Sequence, residues 1–109
     1  MWFNCHCGHT IKDNTDCLRQ KGHLTPDQDL YVVWDGMDEQ VIDPVASGQL
    51  SVNDAYVLSR KLMSSPARAM YQCFECGRLY IDGPDGKQNC FLPESDATDK
   101  EVLRSRNSR

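Results

Sequence analysis

Two short cysteine turns, far apart in the chain, restrict what it can fold into more than anything else it contains. The first is Phe3-Asn-Cys5-His-Cys7-Gly8-His-Thr-Ile11, and the second is Tyr71-Gln-Cys73-Phe-Glu-Cys76-Gly77-Arg-Leu-Tyr80. Each runs from an aromatic through a spacer to two close cysteines, a glycine, and a return to apolar residues. A turn of this kind aims two thiolates at one point, and two such turns supply the four sulfurs of a closed tetrahedral metal site. The glycine after each second cysteine suits a backbone that turns back beneath its own thiolates, where a side chain would crowd the metal or be forced to positive φ. The fold must therefore bring the two ends of a long intervening segment together.

These two turns resemble the knuckles of the zinc-ribbon family, over about a third of the chain once flanking strands are counted. The resemblance implies one structural Zn²⁺ on Cys5, Cys7, Cys73 and Cys76, held by antiparallel strands. The first turn departs from the family in reading C-x-C where C-x-x-C is usual, which leaves His6 and His9 as alternative ligands. A four-sulfur site has no open position, so its implied role is folding and not catalysis. The competing readings are a Cys73–Cys76 disulfide, a thioredoxin-like redox pair, or unrelated buried thiols. A redox pair belongs at the start of a helix, whereas G-R-L-Y-I after Cys76 reads as a strand. The opening F-N-C-H-C-G-H-T-I-K-D-N-T-D is also similar to small bacterial ribbon proteins, a likeness that implies no activity.

At 109 residues the chain is expected to form one domain, of a size that gains from a staple. Neither a basic-then-apolar leader nor a membrane-length apolar run is present, and the longest apolar stretch is Leu30-Tyr-Val-Val-Trp34. The expected compartment is the cytoplasm, where cysteines stay reduced and available to metal. The net charge of −4 hides an asymmetry. Residues 100–109 carry Lys100, Arg104, Arg106 and Arg109 against Glu101, for +3, which leaves −7 on the rest. No basic residue lies between Lys21 and Arg60, while Asp27, Asp29, Asp35, Asp38, Glu39, Asp43 and Asp54 all fall there. Such a surface repels phosphate backbones and attracts basic proteins.

After the first turn, residues 10–16 read as a short strand running into an Asx-rich turn, and 17–24 as loop. Thr25-Pro26-Asp27 predicts a helix start with Thr25 as cap. From there Leu30, Val33, Trp34, Met37 and Val41 recur at helical spacing as a buried stripe, with Asp43-Pro44 expected to end the helix. Ser51-Val-Asn-Asp54 predicts a second helix, whose stripe would be Val52, Ala55, Tyr56, Ser59, Leu62 and Met63. A short loop at 44–49 makes the two helices antiparallel neighbours. Strands then enter and leave the second cysteine turn, and the turn at Asp82-Gly-Pro-Asp-Gly86 returns a further antiparallel strand. The expected architecture is α+β: a small ribbon of antiparallel strands over residues 1–93, with a helical hairpin inserted at about 25–65. Residues 94–109 form a polar, basic tail that composition alone predicts to be disordered.

Catalytic signatures are absent from the sequence: zinc deaminases require H-x-E with P-C-x-x-C, and no phosphate-binding loop or nucleophile elbow occurs. Cys17 and Cys90 remain as spare cysteines. A nucleophile at either with His23 as base, or a second metal site from Cys17, His23 and His9, matches no standard spacing. The outer face of the first helix instead presents Asp27, Asp35, Asp38 and Glu39 around Tyr31, without basic residues to form an i, i+4 lattice. Acids around an aromatic are what a site for a basic protein offers. The function expected is thus a non-enzymatic, zinc-stabilised protein-binding module, similar in character to the immunity proteins that neutralise bacterial toxins. The alternative is a nucleic-acid accessory factor, as many zinc ribbons are, relying on Arg60, Lys61, Arg68, Arg78 and the basic tail.

Overall fold

In a computed structural model, which describes residues 1–106, the chain is α+β, with the helices falling between two groups of antiparallel strands as expected. Residues 107–109, the end of the basic tail, lie outside the described residues. The chain divides into two compact units, one made of Met1–Leu24 with the chain from Arg68 onward, the other of Thr25–Ala67.

The first unit holds two sheets. Strands β1 (Trp2–Asn4) and β2 (Thr10–Lys12) pair antiparallel across the first cysteine turn, with Phe3 opposite Ile11. The second sheet has the order β3 (Lys21–Leu24), β4 (Arg68–Gln72), β5 (Leu79–Asp82), β6 (Gln88–Phe91), every pair antiparallel. Strand β3 corrects the loop expected at 17–24. Its sequence Lys-Gly-His-Leu carries no apolar alternation of its own and becomes a strand only because β4 offers an edge, pairing His23 with Ala69. The β4–β5 hairpin turns at the second cysteine pair, and its register sets Tyr71 opposite Tyr80.

Where the two sheets meet lies a small core of Cys5, Ile11, Tyr71, Cys73 and Tyr80, with Phe3, Ala69 and Cys76 packed against it. The Phe3 ring stands edge-on to both Tyr71 and Tyr80, at 5.4 and 5.1 Å between centroids. The sheets are also locked by a polar group at the edge of this core. Asp13, just past β2, accepts from the Tyr71 phenol at 2.6 Å and pairs with the Lys21 ammonium at 2.8 Å.

The tail predicted to be disordered from residue 94 is instead held by the chain itself. Gln72 is fully buried, and its amide nitrogen donates to the carbonyls of Asp99 (2.8 Å) and Gly77 (3.4 Å) while its oxygen accepts from the Val102 N–H at 2.7 Å. One buried amide thus pins residues 99–102 to the cysteine hairpin, and an Arg19–Glu101 ion pair adds a surface tie.

In the second unit, helix α1 (Asp27–Met37) continues through a π-helical turn (Asp38–Ile42) into α2 (Asp43–Ala46). Asp43-Pro44 therefore does not end the helix. Proline cannot donate to the preceding turn, and the wider π turn immediately before it takes up that mismatch. At the start, Pro26 is the capping residue and no side chain caps the helix, so the Thr25 cap is also corrected. Helix α3 (Val52–Ser64) begins as expected, with Ser51 Oγ accepting the Asp54 N–H at 3.1 Å.

The packing of these helices departs from the expected stripes. Only Gly36, Val41 and Ala55 are buried, and Leu30, Val33, Met37, Ser59 and Leu62 are half-buried. Trp34, Val52, Tyr56 and Met63, all predicted to be core, are more than half exposed. The reason lies at Gly36, where a side chain is missing and the Leu62 methyls of α3 approach the glycine backbone. The helix contact therefore centres on the Val33–Gly36–Met37 side of α1 and turns Trp34 away from it. No helix among the described residues is long and apolar enough to cross a membrane.

Candidate metal centre

Each cysteine turn is closed by the same pair of backbone hydrogen bonds. In the first, the Cys5 N–H donates to the His9 carbonyl at 2.8 Å and the Gly8 N–H to the Cys5 carbonyl at 2.9 Å. In the second, the Cys73 N–H donates to the Arg78 carbonyl at 3.0 Å and the Gly77 N–H to the Cys73 carbonyl at 2.8 Å. Gly8 and Gly77 sit at φ +98° and +84°, the left-handed region that favours glycine. The C-x-C spacing shortens the first turn by one residue but leaves this closure intact, because the glycine and the carbonyl that follows keep their roles.

The turns bring the Sγ atoms of Cys5, Cys7, Cys73 and Cys76 within 4.8 Å of one another, a group that can hold a metal ion. Across the turns, Cys5 Sγ lies 3.5 Å from Cys76 Sγ and Cys7 Sγ 3.6 Å from Cys73 Sγ. A zinc–sulfur bond of about 2.3 Å in a regular tetrahedron sets sulfurs about 3.8 Å apart, whereas a disulfide needs about 2.05 Å. The spacing fits four ligands around one ion. All six cysteines are free thiols, so no Cys73–Cys76 disulfide is formed. His6 and His9 are not in the group: His6 stands edge-on to Tyr80, and His9 lines a separate cleft with Thr10, Gln20 and Phe74.

Two side chains that sequence reasoning missed support the sulfurs. Tyr80 accepts the His6 N–H at 3.0 Å and donates its phenol to Cys5 Sγ at 3.2 Å, while Arg78 Nη1 donates to Cys76 Sγ at 3.2 Å. Their signal was present in Gly77-Arg-Leu-Tyr80, where the strand leaving the second turn brings two donor side chains back toward it. The thiols respond unequally. Burial raises Cys5, but the Cys7 N–H, the Tyr80 phenol and neighbouring thiols outweigh it and carry Cys5 down to about 6. Burial likewise opposes ionisation of Cys76, and the Arg78 N–H and guanidinium overcome it, lowering that thiol too. For Cys73, burial dominates and pushes the thiol up to about 12. A cation at the centre is the charge that a cluster of this kind lacks.

The other residues singled out from sequence do not join a second site. Cys17 and Cys90 are exposed, and Cys17 and His23 line a surface depression that does not include His9. Among the described residues they form no further metal-ligating group. On the helical unit, Asp27, Tyr31, Asp35, Asp38 and Glu39 are all exposed, and no ion pair among the described residues involves any of these acids. Tyr31 meets Trp34 edge to face at 5.2 Å.

The chain belongs to a family described as a domain of unknown function (DUF8617), whose model matches residues 1–95 and so takes in both cysteine turns and all the helices. No curated protein and no solved structure matches it.

Proposed function

We propose that this chain is a non-enzymatic protein-binding module, stabilised by one structural zinc ion, whose acidic helical unit covers a basic protein partner. Zinc is the metal that suits four thiolates in a closed tetrahedral set, and such a site contributes folding free energy and not chemistry. In this reading the cysteine turns are those of a zinc ribbon, with Cys5, Cys7, Cys73 and Cys76 as the ligands.

The observation that carries the partner reading is how charge sorts between the units. Residues 25–67 hold two basic and seven acidic residues, for −5, whereas the metal-binding unit holds ten basic and nine acidic, for +1. Acidity is thus concentrated on the helices, around the exposed rings of Tyr31 and Trp34. A basic protein would relieve the repulsion among these carboxylates as well as bury the rings. An immunity protein covering the working face of a bacterial toxin is the partner relationship this character fits best. For nucleic acid the surface is less suited. Arg19, Lys21 and Arg104 are committed to Glu101, Asp13 and Asp99, and Arg78 to Cys76, while Arg60 and Lys61 lie within the acidic unit.

Affinity capture with mass spectrometry identifies the partner, and association kinetics then test the surface. Asp35→Lys with Asp38→Lys is expected to slow association at least tenfold and flatten its salt dependence, and Tyr31→Ala to speed dissociation. An unchanged association rate and salt slope in the folded double variant would leave the acids as ordinary solvated surface.

A further inference from the structure

The four sulfurs of the cysteine group are not equivalent. Cys5 and Cys73 are buried, at 4% and 0% exposure, and Cys76 is half-buried, whereas Cys7 is exposed. Its neighbours in the short turn, His6 and Gly8, are exposed as well. The two glycines locate the open side. At Gly77 a Cβ would meet Lys100 and Pro93 at 3.4 and 3.6 Å, since the stretch that Gln72 pins runs over the second turn. At Gly8 it would meet nothing within 4 Å. Hydrogen bonding divides the sulfurs in the same way. The Tyr80 phenol donates to Cys5 Sγ and the Arg78 guanidinium to Cys76 Sγ, each at 3.2 Å, and Cys73 is closed off by burial. Among the described residues no phenol or guanidinium donates to Cys7 Sγ, which lies 3.6 Å from Cys73 Sγ.

We propose that Cys7 is the site at which this centre is modified by soft electrophiles, and the sulfur from which the metal is released. This rests on the reading of one zinc held by four thiolates and goes beyond it by separating the ligands. A metal-bound thiolate keeps lone pairs that can attack carbon, and its reactivity follows its exposure and the hydrogen bonds made to it. A donor to sulfur draws on the same lone pair that an electrophile needs. Cys5 and Cys76 are held by such donors and Cys73 admits no reagent, but Cys7 meets neither obstacle. Toward an activated alkene such as a maleimide, the Cys7 sulfur forms a bond to one alkene carbon. The π pair moves to the other carbon, which takes a proton from water. The product is a neutral thioether, which lacks the charge that makes a thiolate a good ligand, so the ion is left with three thiolates and an open side.

The full zinc-loaded chain is treated with substoichiometric N-ethylmaleimide. Adducts are mapped by tandem mass spectrometry while a metallochromic dye reports free zinc. Among chains with one adduct in the cysteine group, those modified at Cys7 are expected to exceed those at Cys5, Cys73 or Cys76 by about tenfold. Zinc is expected to appear at the rate of the Cys7 adduct. Cys17 and Cys90, exposed and outside the group, serve as the unhindered reference. Arg78→Met removes the donor to Cys76 and is expected to raise the rate there several-fold while leaving that of Cys7 as it was. The proposal is overturned if any of the other three ligands reacts as fast as Cys7, if zinc is released before Cys7 is modified, or if Arg78→Met leaves Cys76 unchanged. The chelated chain, treated in parallel, separates this from failure of the metal reading. If zinc slows none of the four cysteines relative to the chelated chain, the metal reading fails and the proposal with it. If zinc slows Cys7 as strongly as the other three, the metal reading stands and the proposal alone falls.

Discussion

Removing the metal is expected to unfold the sheet unit, and the size of the effect follows from what the core contains. Five side chains make up that core, and two of them, Cys5 and Cys73, are thiols aimed at the centre of the cysteine group. Full burial of Ile11, Tyr71 and Tyr80 contributes about 1.5–3 kcal/mol each, so roughly 5–9 kcal/mol before conformational entropy is set against it. A structural zinc bound by four thiolates contributes about 10–16 kcal/mol of apparent binding free energy at pH 7, more than a small domain's usual net stability of about 5–15 kcal/mol. Without the ion, the sulfurs either repel one another as thiolates or remain as thiols without the bond that joins the two turns. The other ties between the two sheets are weaker, since the Asp13–Lys21–Tyr71 group, the His6–Tyr80 hydrogen bond and the Phe3 ring contacts contribute about 1 kcal/mol apiece.

Metal analysis should therefore find one zinc per chain. Chelation should abolish the near-ultraviolet circular dichroism of the Phe3, Tyr71 and Tyr80 cluster, and added Zn²⁺ should restore it. Cys73→Ser places a hydroxyl at a position with no solvent exposure and leaves three sulfurs, so the variant should be unfolded or insoluble when expressed. Cys17→Ser, at an exposed position outside the cluster, should change stability by no more than about 0.5 kcal/mol. A metal-free protein that keeps its near-ultraviolet signal and melts cooperatively at the parent temperature would refute the reasoning.

Three further outcomes are expected. Asp13 is held below the usual carboxylate range by the Lys21 ammonium and then the Tyr71 phenol, so its contribution is complete above its unfolded value of about 3.9 and is lost as pH falls through the folded value. Asp13→Asn should accordingly cost about 1–3 kcal/mol in urea melts at pH 7, with the difference from the parent closing in acid, and a cost that persists undiminished at low pH would count against this account. Gly36→Ala should stabilise the helical unit by about 0.5–1 kcal/mol, because a Cβ there meets Leu62 and Gln40 at 3.6 Å or more, ordinary contact distance; a loss of stability would show that the helices need a closer approach. Gln72→Ala should release residues 99–102 and speed tryptic cleavage at Lys100 and Arg104 several-fold, and unchanged cleavage would mean that other contacts hold the tail.

How much of this was legible in the sequence depends on the range over which each feature is decided. The cysteine turns could be read because everything that closes them is local: the glycine at positive φ and the carbonyl just beyond it lie within six residues of the first cysteine in both turns. The Ser51 cap and the turn at Asp82–Gly86 were legible for the same reason. Strand β3 was not, since Lys-Gly-His-Leu acquires its structure from an edge about fifty residues away. The tail was not, since its order comes from one buried glutamine whose sequence neighbourhood announces only a strand. Arg78 and Tyr80 were half-legible: their positions after the glycine were visible, but that both donate to sulfur required the strand to be placed. The helical stripes are the instructive difference. Periodicity reports which side of a helix is apolar, and of the two stripes it predicted to be buried only Val41 and Ala55 are. It does not report whether the chain has enough other mass to cover that side. Across the pair the Leu62 methyls reach the Gly36 backbone, while Val52, Tyr56 and Met63 stay more than half exposed, as does Trp34 with its ring against Tyr31. The apolar side of a helix is a local property, whereas its burial depends on what packs against it, and in a unit whose buried residues are Gly36, Val41 and Ala55 the two part company.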